Sequence, residues 1–522
     1  MAPTRTSLVT ASLCVSQFVV TYANSCITAA LPTIAVELNI SDANIQWPII
    51  AFSIAYGGFL VLFGRIADQF GKKRMQLVGL AWSLIWALVA VFSRNEIMLD
   101  IAMAMQGLGA AIGIPAALGI MSVIHTTEQS RNAAISFFGA MNPLGAVSGI
   151  ILGAVFTQTV GWRYMFFVPL ALEALALVVG ALSIPASVDH HLQNPVKSEE
   201  SSLEGTSQEQ DVDNGGSQTK GRVNGLGAVL ITAGFTLLTF ALAGGPVAPD
   251  SYKTSYIIAA FLLAALSLIA YVLLEFKFAK NPLVPRTFWK IPGMPLLMAM
   301  ALVVQMSFFS LATYCTFFFQ RVYLETPLTA ALHFVPIAIM GFIVATLSGY
   351  IFTHVRNLFA LIVFGSCLLA AACAIFGTAG VDTSYWVHPF PGLILSVTGF
   401  ELIFNSLSIK IITAVPPSDR AIAGAMFNTC VQLGQALTLS IAVAVVSTAT
   451  DGYADPTSPQ ALAAGYGRVL LMDCGFAVAA GLLACFEWVR SARTGAAGPT
   501  SARKDEDVVL GESNDEGVVE GK

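Results

Sequence analysis

The chain has 522 residues, of which 56% are hydrophobic and 11% charged, with a mean hydropathy of +0.74 and a net charge of −5. About a quarter of an ordinary globular chain is charged, so a water-soluble fold could not cover this much apolar surface, whereas lipid requires no such cover. No Ser/His/Asp set, paired carboxylates, phosphate loop or Cys/His metal spacing occurs, which sets enzymes and metal cofactors aside; no cofactor and no nucleic-acid partner is expected.

A membrane crossing takes about 20 mainly apolar residues. Fourteen such stretches are read, at about 8–32, 45–63, 75–92, 98–122, 134–157, 164–185, 225–243, 255–276, 294–319, 330–352, 358–378, 388–413, 421–448 and 468–489. The start, MAPTRTSL, leads into a long apolar run without a cleavage-site pattern and is read as the first span. With an even number of spans both termini share one side. That side receives 21 of the 26 Lys and Arg residues, which predicts cytoplasmic termini.

Along span 1, Gln17, Thr21, Asn24 and Thr28 recur at 4-3-4 spacing and share one face. Asn39-Ile-Ser41 in the first outer loop is an N-glycosylation sequon. Between spans 2 and 3 stands GRIADQFGKKR: Gly64 for close helix approach, Arg65, Asp68 to cap a helix or pair with an arginine, Gly71 for a turn, and Lys72, Lys73 and Arg74 as inner-side anchors. Its charges are also expected to latch the two halves of the molecule. Span 4 carries QGLGAA, from Gln106. In span 5, Gly145, Gly149 and Gly153 form a small-residue face, followed by GWRYMFF at 161–167.

Residues 186–224 hold seven acids against three bases and residues 490–522 seven against five. Both are rich in Ser, Gly, Gln and Glu and are expected to be disordered. All eight cysteines fall in apolar runs and read as small buried hydrophobes. On span 9, Ser310, Thr313 and Tyr314 cluster; on span 12, Thr398, Glu401, Asn405 and Ser408 repeat at 3-4-3 spacing. Glu173, Glu401 and Asp473 stand out as acids within spans, where a charge is costly and burial favours the protonated form. Glu401 is the first choice for a coupling or cargo-binding acid. Glu173 is the second, with a neutral structural role favoured; Asp473 is expected to pair with Arg468, and Lys410 to snorkel to the inner surface.

GRIADQFGKKR resembles the helix 2–3 signature of the major facilitator superfamily, G-x-L-A-D-x-x-G-R-K, and SGYIFTHVR at 348–356 is a weak echo of it in the second half. QGLGAA and the glycines of span 5 are similar to the superfamily's helix 4 and antiporter signatures. KNPLVPRTFW, FFQRVYLETPLTAALHFVP and AGAMFNTCVQLGQAL resemble segments of its 14-span drug:proton antiporters. The resemblance implies an all-α polytopic membrane fold. Two six-helix bundles, 1–185 and 277–489, would flank inserted helices 7 and 8 at 225–276, with the loop 186–224 and the tail 490–522 in the cytoplasm. It also implies that helices 1, 4, 9 and 12 line a central cavity, which would include Met103 and Gln106.

Three positions depart from that pattern. Met103 stands where helix 4 usually has arginine, Ala23 where helix 1 usually has aspartate, and Ile150 where helix 5 usually has proline. The resemblance predicts a monomeric secondary exporter of small amphiphilic compounds in the plasma membrane, the vacuolar or a vesicle membrane being the alternative. Protons are the expected coupling ion, though the family's usual carriers of that role are missing. The alternatives are a facilitator or importer of a small solute such as ammonium or an organic acid and, in another class, a membrane sensor.

Overall fold

The computed structural model describes residues 3–41, 44–125, 127–185, 187–190, 225–245, 248–278, 284, 286–355, 357–415 and 420–493, and among these it contains helices and no strand. Fourteen principal helices follow the apolar stretches. The first six are α1 (Pro3–Leu38), α2 (Trp47–Phe70), α3 (Lys72–Val91), α4 (Glu96–Ile124), α5 (Glu128–Thr159) and α6 (Phe167–Ser183). Then come α7 (Gly225–Gly244) and α8 (Ser255–Leu273). The last six are α9 (Met294–Phe317), α10 (Val335–His354), α11 (Leu358–Gly377), α12 (Pro389–Thr413), α13 (Arg420–Thr450) and α14 (Pro459–Arg493). Thirteen segments are long and apolar enough to cross a membrane, and Val229–Gly244 is a shorter apolar helix.

Several helices outrun the apolar stretches that announce them. α1 continues through Pro32 to Leu38, and α14 spans Pro459–Arg493, so the first residues of the expected tail are helical. Hydropathy marks the lipid-crossing part of a helix, while its hydrogen bonds carry it on into water. Polar caps set other ends. Asn95 accepts from the Met98 amide at 2.8 Å and Asn357 from the Phe359 amide at 3.0 Å. Residues 187–190, within the loop expected to be disordered, form a short helix; 191–224 and 494–522 lie outside the described residues.

Helices 1–6 pack together, as do helices 9–14. Small residues let backbones meet. A Cβ on Gly145, Gly149 or Gly153 would come within 2.5, 2.7 and 2.7 Å of the Phe18, Tyr22 and Cys26 carbonyls of α1. The second bundle has a counterpart at Gly365 and Gly399, each abutting the other's carbonyl. Gly64 is different. A Cβ there would make only ordinary contact, 3.5 Å from Pro115, and the close α2–α4 approach lies instead at Gly107 against Phe52. α7 packs beside α2 and α13, where the bundles meet, and α8 packs on α7: Trp47 faces Phe240 at 6.1 Å, and a Cβ on Gly58 would lie 2.7 Å from the Thr232 hydroxyl. α8 turns Leu262, Leu263, Leu266 and Ile269 outward, as lipid contact requires. Cys367 is exposed and Cys430, Cys474 and Cys485 are half-buried, a correction to the reading of all eight cysteines as buried; Cys14, Cys26, Cys315 and Cys373 are buried.

Candidate functional site

One face of the molecule is basic. It holds the start of α1, the α2–α3 turn and the end of α14. Gly71 ends α2 and begins α3 with φ of 106°, a region that excludes ordinary side chains. Its missing side chain leaves room for Asp189, whose carboxylate would lie 2.7 Å from a Cβ there. Asp189 accepts from the Lys73 amide at 2.9 Å, capping α3. The Lys73 ammonium donates to the carbonyls of Ala181 at 3.2 Å and Ile184 at 2.5 Å, at the negative end of α6. The Lys72 stem lies over Gly119 of α4, and Arg74 is exposed. These contacts of Lys72 and Lys73 hold α3, α4 and α6 of one bundle together, not the two bundles to each other. The side chains of Asp68 and of most of the 348–356 echo lie outside what the structure describes.

The opposite half is where the bundles are tied. Gln46, before α2, donates to the Tyr314 hydroxyl of α9 at 2.6 Å; both are buried. Gln320 donates to the Ala29 carbonyl of α1 at 2.9 Å, and the Leu328 amide donates to Gln158 of α5 at 3.3 Å. Asn39 is exposed just past α1, with φ of 53°.

Between these ends, the polar stripe of α1 sinks inward. Gln17 and Thr21 are half-buried, while Asn24 and Thr28 are each 8% exposed. Thr21 donates to Asn142 of α5 at 2.7 Å. On α12, Thr398, Glu401 and Asn405 are half-buried along one face, and Asn405 donates to the Glu401 carboxylate at 2.9 Å. An aromatic run flanks that face. Phe308 of α9 stacks on Phe400 at 3.9 Å, Phe400 meets Phe404 at 5.3 Å, and Phe404 meets Phe427 of α13 at 4.9 Å. Soft rings beside one acid and one amide form a wall suited to an amphiphile.

Other expected wall residues lie elsewhere. Met103 is fully buried, and Gln106 donates to its sulfur at 3.8 Å inside the first bundle. Ser310 and Thr313 are fully buried, and Tyr314 belongs to the seam with Gln46. Asp473 is fully buried and forms no ion pair with Arg468, which is exposed on another side of α14. The Lys410 ammonium sits 3.7 Å over the Phe359 ring, so a cation–π contact accompanies its reach toward the basic face.

The sequence reading passed over further in-span acids. Glu275 accepts from the Val284 amide at 2.9 Å, and Glu487 pairs with Arg490 at 2.7 Å. Asp100 carries a buried oxygen with no hydrogen-bond partner. Their only signal was position inside the span bounds.

Two bundles of long apolar helices with half-buried polar faces on α1 and α12, and a further pair of helices beside the seam, are the architecture of a polytopic membrane transporter. The model of the Major Facilitator Superfamily matches residues 13–439, and the chain belongs to that superfamily. It is 28% identical to the "Cephamycin export protein CmcT" of Amycolatopsis lactamdurans, over 92% of each chain. It is 26% identical to the "Low affinity ammonium transporter" of Saccharomyces cerevisiae, over 79% of this chain and 76% of that one. Among solved structures, an auto-inhibited POT-family peptide transporter superposes with a TM-score of 0.64 at 15% identity, covering 94% of this chain and 97% of that one; this likeness is one of fold.

Proposed function

We propose that this transporter exports a small amphiphilic organic compound by alternating access, driven by protons. The wall of α9, α12 and α13 is the observation that carries the reading: Glu401, held by Asn405, beside the stack of Phe308, Phe400, Phe404 and Phe427. Aromatic rings accept varied apolar bodies without demanding one shape, and a single acid favours cargo with a cationic or donor group. The similarity to a cephamycin export protein supports the outward direction. The bonds Gln46–Tyr314 and Gln320–Ala29 support a conformation shut on the face away from the basic loops.

In this reading the basic face is cytoplasmic, following the positive-inside bias. The protein works as a monomer in the plasma membrane, organised as bundles 1–185 and 277–489 with helices at 225–276 between them. Asn39, exposed beyond α1, is open to glycosylation. Glu401 binds cargo or proton. Glu401→Gln keeps the shape and the bond to Asn405 while removing the charge. Transport measured across a pH gradient, with membrane expression matched, is expected to fall at least tenfold and lose its pH dependence. Unchanged transport would sink the assignment.

A second reading is uptake of a small solute such as ammonium. It is favoured by the similarity to a yeast ammonium transporter and by Ala23 and Met103 at positions where proton-coupled relatives carry charge. Concentrative accumulation of a labelled amine by cells, with no efflux of amphiphiles, would favour it over export.

A further inference from the structure

In the core of the first bundle lies a cavity with about 20 Å3 of room for the centre of a water molecule, lined by α1, α3, α4 and α6. A water requires roughly 10–15 Å3 by that measure. Glu173 of α6 reaches it, 3% exposed. Ser83 of α3 donates to its Oε1 at 2.5 Å, while its Oε2 is buried with no partner. Gln76 of α3 lines the same cavity. Its Nε2 donates to the Ser16 hydroxyl at 2.8 Å, and its Oε1 is likewise buried and unpartnered. The nearby hydroxyl protons are already engaged: Ser16 donates to the Ser12 carbonyl at 3.2 Å, and Ser12 to that of Ala176 at 2.8 Å.

The cavity therefore presents two buried acceptors without partners, Glu173 Oε2 and Gln76 Oε1, beside a Gln76 amide nitrogen that has one of its two N–H groups on Ser16. Among the described residues that line it, Glu173 is the only ionisable one, with no Lys, Arg or His from α1, α3 or α4. An ionised carboxylate in such a place is expensive without a counter-charge. A hard metal cation would want about six oxygens or more, and only two are free here. One proton and one water satisfy the geometry. Protonated Oε2 donates to the water, and the water donates to Gln76 Oε1.

We propose that Glu173, with Gln76 and one bridging water, is a proton-binding site of the N-terminal bundle, set apart from the cargo-binding wall proposed above. The site is coupled to the moving parts by its walls. Its α1 side is Ser16. Its α4 side is Gly109 and Gly113, packed on α3 so closely that a Cβ on Gly79 would lie 2.7 Å from the Gly113 amide. A shift of either helix changes the room for water, and with it the tolerance for charge on Glu173, so proton occupancy and helix position are linked. Only the consequence for transport rests on the proton-driven reading above; the proton itself is detectable without cargo.

The test is infrared difference spectroscopy on full-length protein in lipid nanodiscs, titrated with acid and base in H2O and D2O. The wild type is expected to show a C=O stretch of a protonated, weakly hydrated carboxyl at neutral pH. Glu173→Gln removes that band and Asp473→Asn leaves it. Ser83→Ala, which keeps the acid, moves it to higher frequency, and this covers the case in which Glu173→Gln fails to fold. Gln76→Leu shifts the pH at which the band disappears. The proposal is overturned if the Ser83 and Gln76 variants leave every carboxyl band unmoved. It is also overturned if adding sodium at constant pH abolishes the band. A silent Glu401→Gln variant alongside a band lost in Glu173→Gln would refute the cargo reading and leave this site standing.

Discussion

Gln46 and Tyr314 are 268 residues apart in sequence and 2.6 Å apart in space, joining the start of α2 to the last turn of α9 across the two bundles. The bond is buried at both ends, so loss of the acceptor strands the Gln46 amide. A stranded buried donor costs about 1–3 kcal/mol. Tyr314→Phe is therefore expected to favour opening on the face away from the basic loops. Spin labels placed across that face should report a larger separated population in the variant. An unchanged distance distribution would show that the bond does not hold the seam.

Gly71 meets two demands at once: φ of 106° and space for Asp189. Gly71→Ala should lower stability by about 1–3 kcal/mol through backbone strain alone, with the clash against Asp189 adding to it. Asp189→Ala relieves the clash and loses the cap on α3, so in the Gly71→Ala background it should cost less than it does alone. Thermal melts of the two single variants and the double variant measure this. Simple additivity would place Asp189 elsewhere.

His125 lies just past α4, outside the lipid-crossing segment, with Nε2 3.0 Å from the Thr10 hydroxyl and Nδ1 2.6 Å from that of Ser130. Burial holds its pKa below the ordinary histidine value, which is about 6.5. Folded His125 is therefore the weaker base. Its contribution is intact above about pH 6.5 and is lost as the pH falls, because the unfolded chain takes up the proton first. The melting temperature should drop on acidification from about pH 7.5 to about 5.5, and less so in His125→Gln. Equal drops in both proteins would contradict this.

Much of the fold was legible because lipid imposes one rule on the backbone: satisfy every hydrogen bond internally, in about 20 apolar residues. That rule predicts fourteen helices, and Gly145, Gly149 and Gly153 announce by spacing a close helix contact whose partner, α1, only the structure identifies. The site was less legible. Gln17, Thr21, Glu401 and Asn405 share faces by period and remain half-buried in the structure. Tyr314 lies on a helix read as cavity wall but is spent on the seam, because its fate depends on Gln46, which reads as one more residue at the edge of span 2 with no pattern linking it to span 9. Asp189 was hidden for another reason. It sits in an acidic, Ser-rich stretch, and composition cannot reveal that the first turn of such a stretch docks on Gly71. Glu173 was visible as an acid in lipid, but the cavity beside it arises from Gly109 and Gly113 of α4 meeting Gln76 and Ser83 of α3, a coincidence of four helices that no local pattern records.

The central claim, outward proton-driven movement of an amphiphile, is tested most directly in proteoliposomes with the basic face outward. A fluorescent amphiphilic cation is supplied outside and an acid interior is imposed. The account predicts concentrative uptake into the vesicles that collapses when a protonophore is added and falls at least tenfold in Glu401→Gln. Equilibration without concentration, or uptake indifferent to the pH gradient, would contradict it.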